Sequence, residues 1–118
     1  MARLTTHVLD TSRGTPAQQV AVELHRVETD GQRIIVARAT TDANGRTPAP
    51  LLSGDRLEPG VYELTFHAGE YFRRMGTAVS DPPFLDEVVI RFGLADATGH
   101  YHVPLLLSAY GYSTYRGS

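Results

Sequence analysis

Histidine is the residue type best suited to chemistry in this chain, which has five histidines and no cysteine. His100 and His102 are separated by a single residue. Successive side chains of a β-strand point to opposite faces, so on a strand both imidazoles would project from the same side. Together with His7 they could form a three-histidine zinc centre. Two histidines at this spacing are a weak signal for a metal, because one solvated and one packed imidazole would give the same pattern.

A second possibility is acid/base catalysis without a metal, carried out by His7, Arg46 and His102. A histidine whose pKa lies near neutrality can deprotonate water, and a fixed arginine can stabilise the charge that develops on a carbonyl oxygen. Spacing alone does not bring these three residues together, since a histidine on a short strand and an arginine in a turn are usually structural or solvated. His25 and His67 alternate with apolar residues on outward faces and predict no site.

Other kinds of chemistry lack the motifs that they need. The chain contains no Gly-x-Ser-x-Gly elbow, Walker loop or dinucleotide fingerprint. The absence of cysteine excludes a disulfide framework, a zinc ribbon and a thiol nucleophile. A formal net charge of −2, with 11 lysines and arginines spread along the chain, argues against binding to nucleic acid by bulk attraction. The residues alone therefore leave metal binding and metal-free acid/base catalysis open.

The sequence predicts that most of these candidate residues lie on β-strands. Alternating apolar residues or β-branched residues predict strands over 4–9, 20–25, 34–41, 61–68 and 87–94. One short helix is predicted from Glu70 to Met75, because an acid begins this segment, basic residues lie near its end and Gly76 follows it. With the carboxyl-terminal segments included, about seven or eight strands and one helix predict an all-β antiparallel sandwich.

The length and the hydropathy of the chain predict a single domain over residues 1–118. A chain of 118 residues can bury one core without disulfides or metals. No apolar run reaches membrane-spanning length, and the first ten residues lack the apolar region of a secretory signal. We therefore expect a cytoplasmic protein that does not bind membranes.

The segment after His100 shows two further features. Pro104 lacks a backbone N–H, which predicts either an edge strand or a strand that is interrupted at this point. Three consecutive leucines, 105–107, predict burial on both faces of the strand. A second subunit covering the outer face would explain that burial.

Three segments resemble the 5-hydroxyisourate hydrolases, the transthyretin-related enzymes of urate breakdown. They are LTTHVLDTSRGTPA at 4–17, NGRTPAPLL at 44–52 and HYHVPLLLSAYGYSTYRGS at 100–118. The segments follow the order of the family, and the terminal Tyr-Arg-Gly-Ser is typical of the hydrolases rather than of transthyretin, the hormone carrier. In this sequence Asn44 stands where aspartate is common, and we expect this difference to leave the catalytic groups untouched.

The resemblance implies a transthyretin-like sandwich that assembles as a homotetramer, a dimer of dimers with active sites in a central channel at the dimer–dimer interface. It implies no cofactor and no metal. The implied catalytic residues are His7, Arg46, His102 and Ser118. The implied substrate-binding residues are Ser108, Tyr115, Arg116 and Gly117.

The implied reaction is hydrolysis of an amide bond in the six-membered ring of 5-hydroxyisourate, which gives 2-oxo-4-hydroxy-4-carboxy-5-ureidoimidazoline. His7 and His102 would hold and deprotonate the water, with the identity of the base left open, while Arg46 would fix the ring oxygens through its planar guanidinium. The alternative is a transthyretin-like carrier that binds an aromatic ligand in the channel without reacting with it. A polar, basic channel favours the hydrolase over the carrier.

Overall fold

The computed structural model describes residues 2–117, which form two β-sheets packed on a shared core. The helix α1 spans Ala68–Arg74, and a 3₁₀ turn spans Gly54–Arg56. The strands are β1 (Arg3–Asp10), β2 (Thr15–Pro16), β3 (Ala21–Val27), β4 (Arg33–Thr40), β5 (Leu52–Ser53), β6 (Gly60–His67), β7 (Glu87–Leu94), β8 (His100–Ser108) and β9 (Gly111–Thr114).

One sheet has the strand order β2-β1-β8-β9, with β5 also paired to β1, and the other has the order β4-β3-β6-β7. We refer to them as the β1/β8 sheet and the β3/β6 sheet. The predicted all-β sandwich with one short helix is confirmed for the described residues. The pairing of β1 with β8 is parallel, whereas every other pair of strands in the two sheets is antiparallel.

Alternating burial along β1 fixes which side chains face outward. Leu4 and Val8 are completely buried in the core, whereas Thr5 and His7 are only half-buried on the outer face. Burying one leucine stabilises the fold by roughly 1.5–3 kcal/mol. A register slip of one residue would turn the leucine outward and the histidine inward, so the apolar residues hold His7 on the outer face.

The prediction of an edge strand at Pro104 is wrong, because β8 lies between β1 and β9. Pairing to β1 continues through Pro104, which is opposite His7. Pairing to β9 stops at Leu105 and resumes at an isolated bridge between His102 and Gly117, so the predicted interruption is found on this side only. A missing N–H removes a single donor, and the Pro104 carbonyl still accepts a 2.7 Å hydrogen bond from the Thr114 hydroxyl.

The helix anchors the far end of β1. It begins two residues before the predicted start and ends before Gly76, whose φ of +74° ends the helical conformation. The hydroxyl of Tyr71 donates a 2.7 Å hydrogen bond to Asp10. Burial raises the pKa of Asp10, but hydrogen bonds from Ser12, Tyr71 and the backbone outweigh it and hold this pKa below 3.8. Asp10 therefore stays ionised, and its hydrogen bond with Tyr71 attaches β1 to α1 three residues after His7.

No helix within residues 2–117 is long and apolar enough to cross a membrane.

Candidate functional site

The parallel pairing of β1 with β8 brings the predicted histidines onto one surface. Thr5 lies opposite His102, and His7 lies opposite Pro104, one step further along the same face. His7 and His102 are thus diagonal neighbours on the outer face of the β1/β8 sheet, although they are far apart in the sequence.

Arg46 reaches this surface because its loop pairs with β1. The Val8 N–H donates to the Gly45 carbonyl at 2.8 Å, and Arg46 forms a β-bridge with His7. The carboxylate of Asp42 accepts hydrogen bonds from the backbone N–H groups of Asn44, at 2.8 Å, and Arg46, at 3.2 Å. The loop therefore holds its own shape and presents Arg46 next to His7.

Glycine is required at position 45 by both its backbone angle and its surroundings. Its φ is +75°, as the Asn-Gly pair in the sequence predicts for a tight turn. A Cβ atom at this position would overlap the Val8 carbonyl oxygen. The loop can approach β1 this closely only because residue 45 has no side chain.

We expect Gly45→Ala to destabilise the fold by about 1–3 kcal/mol through strain, and to lower activity further by displacing Arg46. Urea denaturation measures the first effect and kcat/KM the second. Gly14→Ala is the matched control, because Gly14 has a similar φ of +70° and a Cβ added there would meet no described residue within 4 Å. Equal losses of stability and activity in the two variants would contradict a specific role for the approach of the loop to β1.

His7 is held by the same loop. Its Nε2 lies 2.8 Å from the Asn44 carbonyl oxygen. A carbonyl can only accept, so Nε2 carries the hydrogen and Nδ1 carries the lone pair of the neutral ring. The backbone of residue 44 therefore contacts a predicted catalytic residue, although the side-chain difference at this position is expected to leave the catalytic groups untouched. Because the contact is made by the backbone, asparagine and aspartate can serve equally well.

His102 lies in an environment that keeps it neutral. Its Nδ1 is 2.8 Å from the Thr5 hydroxyl oxygen. Burial, and then electrostatic repulsion by Arg46 and by the His7 imidazole, lower the pKa of His102 below its ordinary value of 6.5. At neutral pH this imidazole is therefore available to accept a proton.

A cleft of about 450 Å³ opens beside these residues and is lined by His102, Arg46, Arg3 and His100, with residues 47–50 forming another wall. This volume lies within the range of small-molecule sites. Among the described residues, those lining the cleft are mostly polar and include no carboxylate, which suits a ligand rich in carbonyl oxygens or bearing negative charge. His7 is not among the lining residues and adjoins the cleft through its bridge to Arg46.

The structure does not assemble the three histidines of the zinc alternative into a metal site. Within residues 2–117, no group of three or more His, Cys, Asp or Glu side chains is placed to hold a metal ion. Nε2 of His7 and Nδ1 of His102 are each engaged in hydrogen bonds instead.

The end of the chain meets the site at Gly117. The Gly117 N–H donates to the His102 carbonyl at 2.7 Å. A Cβ at Gly117 would lie 2.9 Å from Cδ2 of the His102 ring, so glycine lets the backbone cross that ring closely. Ser118, which the family resemblance implies to be catalytic, lies outside the described residues.

Arg116 and Tyr115 lie on a different surface from the cleft. The Arg116 guanidinium sits 4.1 Å from the centre of the Tyr101 ring and donates to the His100 carbonyl at 3.2 Å. Both residues line a separate groove of about 230 Å³ between β7 and β9. Within one chain, Arg116 supports the backbone under His100 and does not enter the cleft.

Ser108 is also remote from the cleft of its own chain. It lies at the turn between β8 and β9, where its hydroxyl donates to the Gly111 carbonyl at 3.1 Å. It lies six positions after His102, which is about 20 Å along a strand. Ser108 does share the outer face of β8 with His102.

Arg3 and Thr5 are among the lining residues that the sequence does not predict. The signal that could have found them is the period of a strand, because residues 3, 5 and 7 share the outer face of β1. Their proximity to His102 depends on the parallel pairing, which the sequence pattern does not show.

Comparison with known proteins identifies close relatives along the whole described chain. A sequence model of the HIUase/Transthyretin family matches residues 4–117. A 5-hydroxyisourate hydrolase from Pseudomonas aeruginosa is 53% identical over 119 residues, covering 100% of this chain and 93% of that protein. The 5-hydroxyisourate hydrolase 2 from Rhizobium meliloti is 55% identical over 116 residues, covering 98% and 96%. The resemblance of the three sequence segments is thereby confirmed.

Solved structures agree on a transthyretin-like fold. The Klebsiella pneumoniae 5-hydroxyisourate hydrolase has a TM-score of 0.80 at 38% identity, covering 100% of both chains. Sea bream transthyretin in complex with thyroxine has a TM-score of 0.87 at 29% identity, covering 98% of this chain and 94% of that one. An (S)-allantoin synthase has a TM-score of 0.93 at 44% identity; the match covers 99% of this chain but only 44% of the synthase.

Proposed function

The chain belongs to the HIUase/transthyretin family, and from that premise we propose that it hydrolyses 5-hydroxyisourate to 2-oxo-4-hydroxy-4-carboxy-5-ureidoimidazoline in urate catabolism. Support comes from relatives that are named 5-hydroxyisourate hydrolase and are 50–55% identical over nearly the whole chain. The observation that carries the proposal is the location of His102 and Arg46 in one polar cleft, with His7 beside them.

His102 is the general base of the proposed reaction. Its lowered pKa leaves it neutral at working pH, and because Nδ1 contacts Thr5, we assign the proton-accepting lone pair to Nε2. Water attacks the amide carbonyl of the ring while Nε2 removes its proton. The imidazolium so formed then returns the proton to the departing nitrogen as the carbon–nitrogen bond breaks. This leaves a carboxylic acid on the product, which ionises by releasing its remaining proton to solvent.

His7 and Arg46 hold the reacting groups. Because Nε2 of His7 donates to Asn44, its Nδ1 can accept a hydrogen bond from the attacking water and direct a lone pair of the water oxygen at the carbonyl. The Arg46 guanidinium offers paired donors to the carbonyl oxygens of the substrate and stabilises the negative charge of the tetrahedral intermediate. No metal or cofactor takes part in this scheme.

The remaining predicted residues act at the edges of this site. Gly117 and Arg116 support the backbone of His102 and His100 by hydrogen bonds. Ser118 follows Gly117 in the sequence, and we assign its hydroxyl or its terminal carboxylate to the orientation of substrate or water. Tyr115 and Ser108 lie outside the cleft of their own chain, so their contribution to substrate binding requires a neighbouring subunit.

A homotetramer, built as a dimer of dimers with the clefts at the dimer–dimer interface, would supply that neighbour. Two features support the assembly. Among the described strands, β7 and β9 each pair on one side only, which leaves open sheet edges. The rings of Phe84 and Tyr110 are 69% and 64% exposed and lie 6.0 Å apart, forming an apolar surface that suits a protein contact.

A direct assay separates the hydrolase from the carrier. The full chain is mixed with freshly generated 5-hydroxyisourate and the absorbance of the substrate is followed. We expect decay that is faster than in buffer and proportional to protein concentration. Decay no faster than the buffer blank, combined with saturable binding of an aromatic ligand such as thyroxine, would support the carrier, since thyroxine is the ligand named for the transthyretin neighbour.

A further inference from the structure

Thr5 enters the scheme above only as the residue that contacts Nδ1 of His102. Its hydroxyl oxygen lies 2.8 Å from Nδ1 of His102, and the two residues are direct partners in the parallel register of β1 and β8. Both side chains are half-buried and both line the cleft. The contact is therefore built by the sheet and does not depend on a flexible loop.

We propose that Thr5 is a positioning residue that accepts a hydrogen bond from Nδ1–H of His102 and thereby keeps the lone pair of the neutral ring on Nε2. The effect of Thr5 on catalysis rests on the proposed function, whereas the hydrogen bond itself is present without substrate. A hydroxyl can donate or accept. The direction of this bond decides which nitrogen of His102 can act as a base.

The charges around His102 favour this direction. Arg46 and Arg3 line the same cleft and both carry positive charge, and Arg46 is close enough to lower the pKa of His102. Since the two nitrogens point away from each other across the ring, Nδ1 faces Thr5 and Nε2 faces away from it. A lone pair on Nε2 is attracted to nearby cations, whereas an N–H at this position would direct its positive end toward them.

The same hydrogen bond becomes stronger during the reaction. When Nε2 takes a proton from water, the ring becomes an imidazolium and Nδ1–H becomes a charged donor to Thr5. Hydrogen bonds to charged groups are stronger than those between neutral groups, so Thr5 stabilises the transition state more than the ground state. Losing the hydroxyl should therefore lower kcat by about tenfold to a hundredfold and leave KM nearly unchanged.

Thr5→Val and Thr5→Ser form a matched pair for the test. Valine keeps the shape and the β-branching of threonine but has no hydroxyl, whereas serine keeps the hydroxyl. The tautomer of His102 is read by ¹⁵N NMR of the full-length protein at pH 8, without substrate. We expect hydrogen on Nδ1 in the wild type and in Thr5→Ser, and a shift of hydrogen toward Nε2 in Thr5→Val.

The NMR spectrum tests the hydrogen bond, and the kinetics test its effect on catalysis, so each part of the proposal can be contradicted separately. An unchanged His102 tautomer in Thr5→Val, or hydrogen on Nε2 in the wild type, would overturn the positioning role whatever the enzyme does. If the tautomer shifts but kcat for 5-hydroxyisourate does not fall, the catalytic meaning is overturned. If the wild type shows the expected tautomer but no hydrolysis of 5-hydroxyisourate, the proposed function fails while the assignment of the hydrogen bond stands. Should Thr5→Val fold poorly, Thr5→Ala is read by the same spectrum.

Discussion

Replacing His102 by asparagine is expected to lower kcat/KM for 5-hydroxyisourate by about 10²–10⁴-fold, the usual contribution of a positioned general base. Asparagine retains a polar group that can reach Thr5, so the outer face of the sheet keeps its hydrogen bond while the base is lost. Steady-state kinetics with freshly generated substrate measure the loss, and thermal denaturation checks that the variant is folded.

His25→Asn is the matched control for this variant. His25 lies on the opposite sheet and contacts Arg33 at 3.3 Å, so its replacement should leave kcat/KM within about twofold of the wild type, as for most surface substitutions. Retention of more than a tenth of the activity by folded His102→Asn would assign the base to another group, with His7 the next candidate.

Replacing Arg46 by glutamine is expected to lower kcat/KM by about 10²–10³-fold, a loss typical of removing one group that stabilises an oxyanion. The variant should also change the pH dependence. In the wild type, protonation of His102 removes the base, so activity falls with decreasing pH through a pKa that lies below 6.5. The positive charge of Arg46 disfavours the imidazolium, and its removal raises the pKa of His102.

The acid limb of the kcat/KM profile in Arg46→Gln should therefore lie at higher pH than in the wild type. Arg38→Gln is the control, because Arg38 lies on the β3/β6 sheet, where it pairs with Glu23 at 3.4 Å. Its acid limb should coincide with that of the wild type. A large loss of activity in Arg46→Gln with no movement of the limb would mean that the titrating group is not His102.

The distinction between the two proposed histidine roles depends on their hydrogen-bond partners. His7 donates to a backbone carbonyl, which fixes its tautomer directly. His102 faces the Thr5 hydroxyl, which can either donate or accept this hydrogen bond. Substitution of Thr5 therefore tests which tautomer His102 adopts. The presence of a histidine identifies a candidate acid or base. The hydrogen-bond partner of each ring nitrogen determines which nitrogen carries the hydrogen and therefore which one can accept a proton.

Local features of this protein could be predicted from the amino-acid sequence. The period of two along β1 and β6 predicted which side chains enter the core, because burial of apolar side chains alone fixes the face. The Asn-Gly pair before Arg46 predicted a turn with positive φ, since few other residues adopt this conformation. The family was evident from three segments, and the match over residues 4–117 confirms it.

The way in which those features combine depends on contacts between distant segments, which the sequence does not show. Thr5 and His102 are 97 positions apart, and neither residue carries a local signal that β1 and β8 pair in parallel. Pro104 indicated an edge strand, yet β8 is internal: pairing to β1 continues through Pro104, and only the side facing β9 is interrupted, where the Pro104 carbonyl accepts a hydrogen bond from Thr114. The approach of Gly45 to Val8 and the crossing of Gly117 over His102 are likewise contacts between distant segments. Sequence patterns report the local preferences of a strand or turn, whereas the choice of partner is settled by packing of the whole core.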